Sequence, residues 1–172
     1  MPDPDVSRLP YRPCVGVMIL NRRGQVWVGR RIDGRNDPEG SGNWWQMPQG
    51  GIDAGEEPKA AARREIEEET GIRSITFLAE SRDWHTYDLP PHLVGKAWGG
   101  RYRGQRQKWF VVRFTGDESE IDIAPAPPHQ IEFDRWRWAE PSELIELIIP
   151  FKRQVYGAVL AELGHLAVPA EP

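Results

Sequence analysis

The chain is 172 residues long, a one-domain length able to bury roughly 70% of its unfolded surface without a disulfide or metal staple. Hydrophobic residues at 39% and charged residues at 28% exclude a membrane protein and argue against global disorder, while 17 glycines and 16 prolines make the chain loop-rich. The formal charge of −4, from 26 acids and 22 bases, counts against a strongly basic nucleic-acid wrapper but does not say where the acids sit.

Residues 1–10 carry prolines at 2, 4 and 10 and no apolar h-region, so they read as a flexible tail with no signal peptide. Cys14 is the one cysteine, which leaves no disulfide framework and no thiolate zinc site. It opens the apolar run Val15–Leu20 and reads as packing or surface, so a cytoplasmic enzyme is expected. Val15–Leu20 and Gln25–Arg30, joined by the turn Asn21–Gly24, predict a hairpin over 13–30. Residues 32–43 are a loop, and Trp45–Met47 a short strand. The strongest helix signal covers 58–70: Pro58 suits the first turn, Glu56 and Glu57 the positive N-terminal end, and Gly71 the position just past the end. Strands are expected at 73–79, 83–88, 107–115 and 132–139, with a Pro- and acid-rich stretch over 116–130. Helices follow near 141–148 and 151–163, and residues 164–172 read as a second flexible tail. The longest apolar run is about six residues, against roughly 20 for a bilayer span, so no membrane association is expected. The pattern is α+β, an α/β/α sandwich with one domain over 11–163.

Residues 50–72 hold the acids that matter. Glu65, Glu68 and Glu69 stand at i, i+3 and i+4, which places three carboxylates within about 100° of one helix face. Each like-charge pair at that spacing costs about 0.2–0.5 kcal/mol. Arg63 can pair with Glu67 and Arg64 with Glu68, but Glu65 and Glu69 stay crowded. A hard divalent cation relieves the repulsion, and Mg²⁺ normally shares its oxygen ligands with substrate phosphates. A solvated acidic face is the alternative for such a helix taken alone. The segment carries seven acids and three bases, the whole of the −4, and the rest of the chain balances at 19 of each sign.

Gly50, Glu56, Arg64, Glu65, Ile66, Glu68, Glu69, Gly71 and Ile72 stand at the spacing G-x5-E-x7-R-E-U-x-E-E-x-G-U, with U a bulky aliphatic. This resembles the Nudix box at every defined position. The resemblance implies hydrolysis of a nucleoside diphosphate linked to another group, on an α/β/α sandwich with a mixed sheet and a catalytic loop–helix–loop. It implies Glu65, Glu68 and Glu69 as metal carboxylates binding Mg²⁺ (or Mn²⁺), with a carbonyl of Gly50 or Gly51 as a further ligand. Glu56 and Arg64 would hold the loop–helix–loop geometry, and Gly71 is a structural position of the motif. Tyr11–Pro13, Trp45–Gly51, Gln107–Phe110, Glu132–Trp138 and Phe151–Arg153 are similar to the branch containing bacterial RNA pyrophosphohydrolases and plant-type diadenosine tetraphosphate hydrolases. There, a Glu after the long loop completes the metal site, here Glu132. Ile131 departs from the proline usual before it. Arg12, Arg31 and Lys152 are implied to grip polyphosphate, since Arg forks and ammonium groups cover oxygens that metals leave. Phe151 is a candidate stacking platform for a base. The general base stays open between Glu65 and Glu132.

Residues 95–113 carry six bases and no acid, interleaved with Trp98, Tyr102 and Trp109, a composition suited to single-stranded nucleic acid. Trp136 and Trp138 alternate on a strand and read as core, and Trp44 and Trp45 flank the box. His85, His92, His129 and His165 share no ligand spacing. The expected function is metal-dependent hydrolysis of a 5′-polyphosphate, with 5′-triphosphate RNA ranked ahead of diadenosine tetraphosphate and no DNA duplex as partner. Removal of oxidised nucleoside triphosphates has no support beyond the box. A non-catalytic nucleotide sensor is disfavoured because Glu65, Glu68 and Glu69 are all retained, and no calcium-loop motif occurs.

Overall fold

The first apolar run becomes β1 (Tyr11–Leu20), buried continuously from Cys14 to Leu20. Such an unbroken run is what a strand covered on both faces requires. The computed structural model, which describes residues 5–32, 43–124 and 131–172, sets β1 inside a mixed sheet. It runs parallel to β7 (Gly104–Phe114), in register from Tyr11–Gly104 to Leu20–Arg113. Its other edge pairs antiparallel with β4 (Gln49–Gly51), matching Val15 to Gly50. β5 (Ile75–Glu80) and β6 (His85–Asp88) lie antiparallel to opposite ends of β7.

The predicted hairpin over 13–30 does not form as such. The turn is there, with the Asn21 side-chain oxygen accepting from the N–H groups of Arg23 and Gln25. However, β2 (Val26–Arg31) meets β1 in register at Leu20–Val26 and then leaves it. It pairs instead with β3 (Trp45–Gln46) and β8 (Phe133–Ala139), both antiparallel. The edge of β1 that a hairpin partner would need is taken by β4.

Side-chain alternation sorts the core into two layers. Val15, Val17, Ile19, Phe110 and Val112 face α1 (Pro58–Thr70), meeting Ala61, Ala62 and Ile66. Met18, Leu20, Trp109 and Val111 face the other way, against Tyr156, Val159 and Leu163 of α3 (Arg153–Leu163) and Leu144 of α2 (Leu144–Leu147). The result is an α/β/α sandwich. The helix expected over 58–70 is found at those bounds. The two C-terminal helices each begin as a tighter 3₁₀ turn, Pro141–Glu143 and Pro150–Lys152, before the α-helix starts. No helix among the described residues is long and apolar enough to cross a membrane.

Some expectations change. Residues 164–170 make contacts with the domain: Arg113 Nη2 donates to the Val168 carbonyl at 3.0 Å and the Ala170 N–H donates to the Arg22 carbonyl at 2.8 Å. The Pro10 carbonyl likewise accepts from the Arg103 N–H at 3.1 Å. Glu67 pairs with Arg73 at 3.0 Å, because Arg63 instead lies over the Phe77 ring at 5.2 Å. Most of the loop over 32–43, and residues 125–130 with His129, fall outside the described residues.

Gly71 closes α1 with φ 75°, donating to the Glu67 carbonyl at 2.9 Å. A Cβ there would meet the Glu120 carbonyl at 2.9 Å, and L-residues are disfavoured at this φ. Gly71→Ala is expected to lower stability by about 1–2 kcal/mol, read as a shift in the urea midpoint at unchanged slope.

Candidate active site

Helix α1 turns one face toward the sheet, and the same turn carries Glu65 and Glu69 inward with Ile66 and Ala62. Glu65 and Glu69 are each only 8% exposed, and Glu68 is half-buried beside them. The placement is unusual for carboxylates, which rarely sit buried without partners. Burial pushes Glu65 up to about 7, with the Arg64 charge opposing and the Glu68 and Glu132 charges adding. Burial likewise pushes Glu69 well above the ordinary carboxylate value, helped by Glu65 and Glu132. Four acids thus feel one another at this spot.

Arg64 holds the group in place. Its Nε and Nη2 donate to the Glu56 carboxylate at 2.9 and 2.8 Å, and Nη2 donates also to the Gly51 carbonyl at 2.9 Å. Nη1 donates to Glu65 at 2.8 Å and Glu68 at 3.2 Å. The loop before α1, the strand β4 and the acidic face are therefore fastened through one guanidinium. Glu56 closes the loop by accepting from the Asp53 N–H at 3.1 Å. Gly50 lies so close to Glu65 that any Cβ would collide with the carboxylate. Glu69 accepts from the Gln49 N–H at 3.2 Å.

These residues border an open cavity of about 640 Å³. Every residue the sequence nominated for metal or substrate lines it: Glu65, Glu68, Glu69, Glu132, Gly50, Arg12, Arg31, Phe151 and Lys152. They arrive from β1, β2, β4, α1, the start of β8 and the turn before α3. Glu132 sits one residue ahead of β8, its carbonyl accepting from Ile32, with Ile131 exposed beside it. Arg31 Nη1 donates to Gln46 Oε1 at 3.1 Å. Lys152 is buried, its ammonium 5.6 Å from the centre of the Tyr87 ring and 5.9 Å from that of Phe151. The two rings lie 5.7 Å apart. Arg12 approaches the Cys14 sulfur at 3.6 Å and the Trp98 ring at 5.4 Å. Cys14 is fully buried and its thiol is pushed up to about 11, so it is packing rather than a nucleophile.

The basic stretch 95–113 does not form one surface. Trp109 is buried in the core against Tyr156. Arg103 pairs with Asp88 at 2.9 Å, Lys108 donates to the Arg82 carbonyl, and Arg113 holds the C-terminal segment. The strand β7 spreads these residues along its length and alternates them between faces. Trp44 lines the cavity, whereas Trp45 lies under Arg137 at 5.3 Å. Trp136 and Trp138 pack against the α1-side core, Trp136 stacking on Trp27 at 6.4 Å. Sequence reasoning gave no role to Gln46, Tyr87 or Gln105, which also line the cavity. Gln46 lies within the segment Trp45–Gly51 and Tyr87 within Trp84–Pro90, a segment similar to the plant-type dinucleotide enzymes, while nothing local marks Gln105.

As they lie, no three acidic, His or Cys side chains among the described residues are close enough to hold an ion. Arg64 draws Glu65 and Glu68 to itself. In chemical type the donors still fit a hard divalent cation, since they are carboxylate and carbonyl oxygens only. The crowded, buried negative charge is what such an ion would neutralise.

The Arg64 fork holds the Glu56 carboxyl down at about 2. A depressed carboxylate contributes stability that is present above its ordinary value of about 4.5 and lost as pH falls toward 2. Glu56→Gln is therefore expected to cost about 1–3 kcal/mol at pH 7. The gap from wild type should shrink below pH 4 in denaturation curves taken across that range.

The chain matches the NUDIX domain over residues 10–159. The RNA pyrophosphohydrolase of Brucella anthropi is 60% identical over 164 residues, 94% of each chain. That of Mesorhizobium japonicum is 59% identical over 165 residues, 95% of each. Among solved structures, the Escherichia coli dihydroneopterin triphosphate pyrophosphohydrolase aligns with a TM-score of 0.62 at 18% identity, covering 88% of this chain and 98% of that one. The Caenorhabditis elegans Ap4A hydrolase aligns at 0.56 and 17%, covering 91% and 98%. At such identities the structural likeness speaks to fold alone. The domain match over most of the chain, together with relatives sharing six-tenths of their positions along nearly its whole length, makes this protein a member of the Nudix family.

Proposed function

We propose that this Nudix hydrolase converts 5′-triphosphate RNA to 5′-monophosphate RNA, releasing pyrophosphate or successive phosphates. The observation that carries the reading is that four carboxylates and three cationic side chains line one cavity. The relatives are RNA pyrophosphohydrolases, which supports RNA as the substrate. Nudix hydrolases generally need divalent metal ions, and Mg²⁺ is our choice here.

In this reading Glu65, Glu68, Glu69 and Glu132, with the Gly50 carbonyl, would hold the metal. Bound divalent ions supply charge neutralisation on the phosphate oxygens and activation of water. Arg12, Arg31 and Lys152, which line the same cavity, grip the phosphate oxygens that remain. Lys152 does so from a buried position, where its charge is weakly screened. Phe151, backed by Tyr87, offers a ring face to the base. One carboxylate, Glu65 or Glu132, takes the proton of the attacking water. The water oxygen bonds to phosphorus as the anhydride P–O bond breaks, and the leaving phosphate carries off the electron pair. No side chain becomes covalently attached.

Glu68→Gln and Glu69→Gln are each expected to lower kcat by about 10²-fold or more while the fold survives. Near-wild-type turnover in both would overturn the assignment of the acids. The substrate is tested by comparing kcat/KM for 5′-triphosphate RNA and diadenosine tetraphosphate in one Mg²⁺ buffer. RNA is expected to be the better substrate, and a large preference for the dinucleotide would overturn it.

A further inference from the structure

Strand β7 carries Gln105, Gln107 and Trp109 at alternate positions, so all three share one face. All are buried, and buried amides must find partners. Their hydrogen bonds form a relay with one direction. Trp109 Nε1 donates to Gln107 Oε1 at 2.9 Å. An indole N–H can only donate, so it fixes which end of the Gln107 amide turns toward it. Gln107 Nε2 then donates to Gln105 Oε1 at 2.8 Å and to Gln49 Oε1 at 3.3 Å. The oxygen and both N–H groups of the Gln107 amide are thereby engaged. Gln105 has its oxygen turned to Gln107, and its own N–H groups donate to no protein acceptor among the described residues. Gln105 lines the cavity and Gln107 does not. In the sheet, Gln105 stands between Arg12 of β1 and Tyr87 of β6, which line the same cavity.

We propose that Gln107 is a positioning residue for phosphate binding: held by Trp109, it keeps the Gln105 amide turned so that N–H donors, not a carbonyl oxygen, meet the polyphosphate. The inference rests on the polyphosphate reading above and deepens it. A glutamine amide left to itself flips easily, and its two ends have nearly the same shape. Its carbonyl oxygen would repel a phosphate oxygen, whereas its N–H group makes a charge-assisted bond to one. Fixing the amide beforehand removes the cost of turning it when substrate arrives. The relay therefore lets a fully buried indole decide the polarity of a group at the cavity wall.

The test is a double-mutant cycle on binding of methylenediphosphonate, whose P–C–P bridge resists hydrolysis, to the full chain in Mg²⁺ buffer by calorimetry. Gln105→Ala and Gln107→Leu are each expected to weaken binding about tenfold, as loss of one charge-assisted hydrogen bond does. The double variant is expected to be no more than about twofold weaker than either single one, because Gln107 acts through Gln105. Losses that multiply, the mark of Gln107 as core packing alone, would overturn the proposal. So would an unchanged affinity in Gln107→Leu, or a wild type that does not bind the probe. Gln107→Leu leaves the Trp109 N–H unpaired, so a variant that does not fold is answered on the wild type by NMR. There the side-chain amide signal of Gln105, identified by its loss in Gln105→Ala, is expected to shift when the probe is added, and an unmoved signal would overturn the proposal. Cleavage is read separately. A wild type that strongly prefers diadenosine tetraphosphate sinks the RNA reading alone, and multiplied losses in a chain that cleaves triphosphate RNA sink this inference alone.

Discussion

One guanidinium sets the geometry on which the rest of the site depends. Arg64 joins Glu56 in the loop, Gly51 in the sheet, and Glu65 and Glu68 on the helix. Without it, three buried or half-buried acids on one helical face would repel each other and lean away from the strand. With it, the acidic face is bound to the sheet edge while negative charge remains in excess. Removing an interior cation from such a cluster leaves its partners uncompensated, which costs more than the pair itself contributes. The arrangement is thus both a clasp and a reserve of attraction for further positive charge.

The sheet supplies the rigid side of the clasp. β1 is held along ten register positions by β7 and along its other edge by β4. This double grip fixes Arg12 at one end of β1 and the Gly50 backbone beside it. β2, which leaves β1 after Leu20–Val26 and pairs with β8, brings Arg31 and the Glu132 that precedes β8 to the same cavity. The residues that line the cavity therefore converge from distant parts of the chain.

The helix and its carboxylates were legible in the sequence because they are local: the spacing of Glu65, Glu68 and Glu69 and the bounds set by Pro58 and Gly71 need no distant partner. The hairpin over 13–30 failed because adjacency in sequence says nothing about β4 competing for the same edge. The basic stretch 95–113 failed because composition ignores strand alternation, which buries Trp109 and points Arg113 to the opposite end. The place of Tyr87 in the cavity was not legible, since it depends on β6 pairing with β7. The docking of residues 164–170 was invisible for the same reason, its anchors being Arg22 and Arg113.

The parallel pairing of β1 with β7 also bears on how the protein comes into being. Tyr11 and Gly104 are partners, and so are Leu20 and Arg113, with more than ninety residues between them. Non-local pairing of this kind is slow, since a long loop must close before any contact rewards it. During synthesis the acidic helix can wind early, but its wall cannot. β7 emerges only after residue 104, and Glu132 and Lys152 later still. The hydrolytic centre is therefore a property of the finished chain, and an incomplete one carries the carboxylates without the cavity that gives them a substrate.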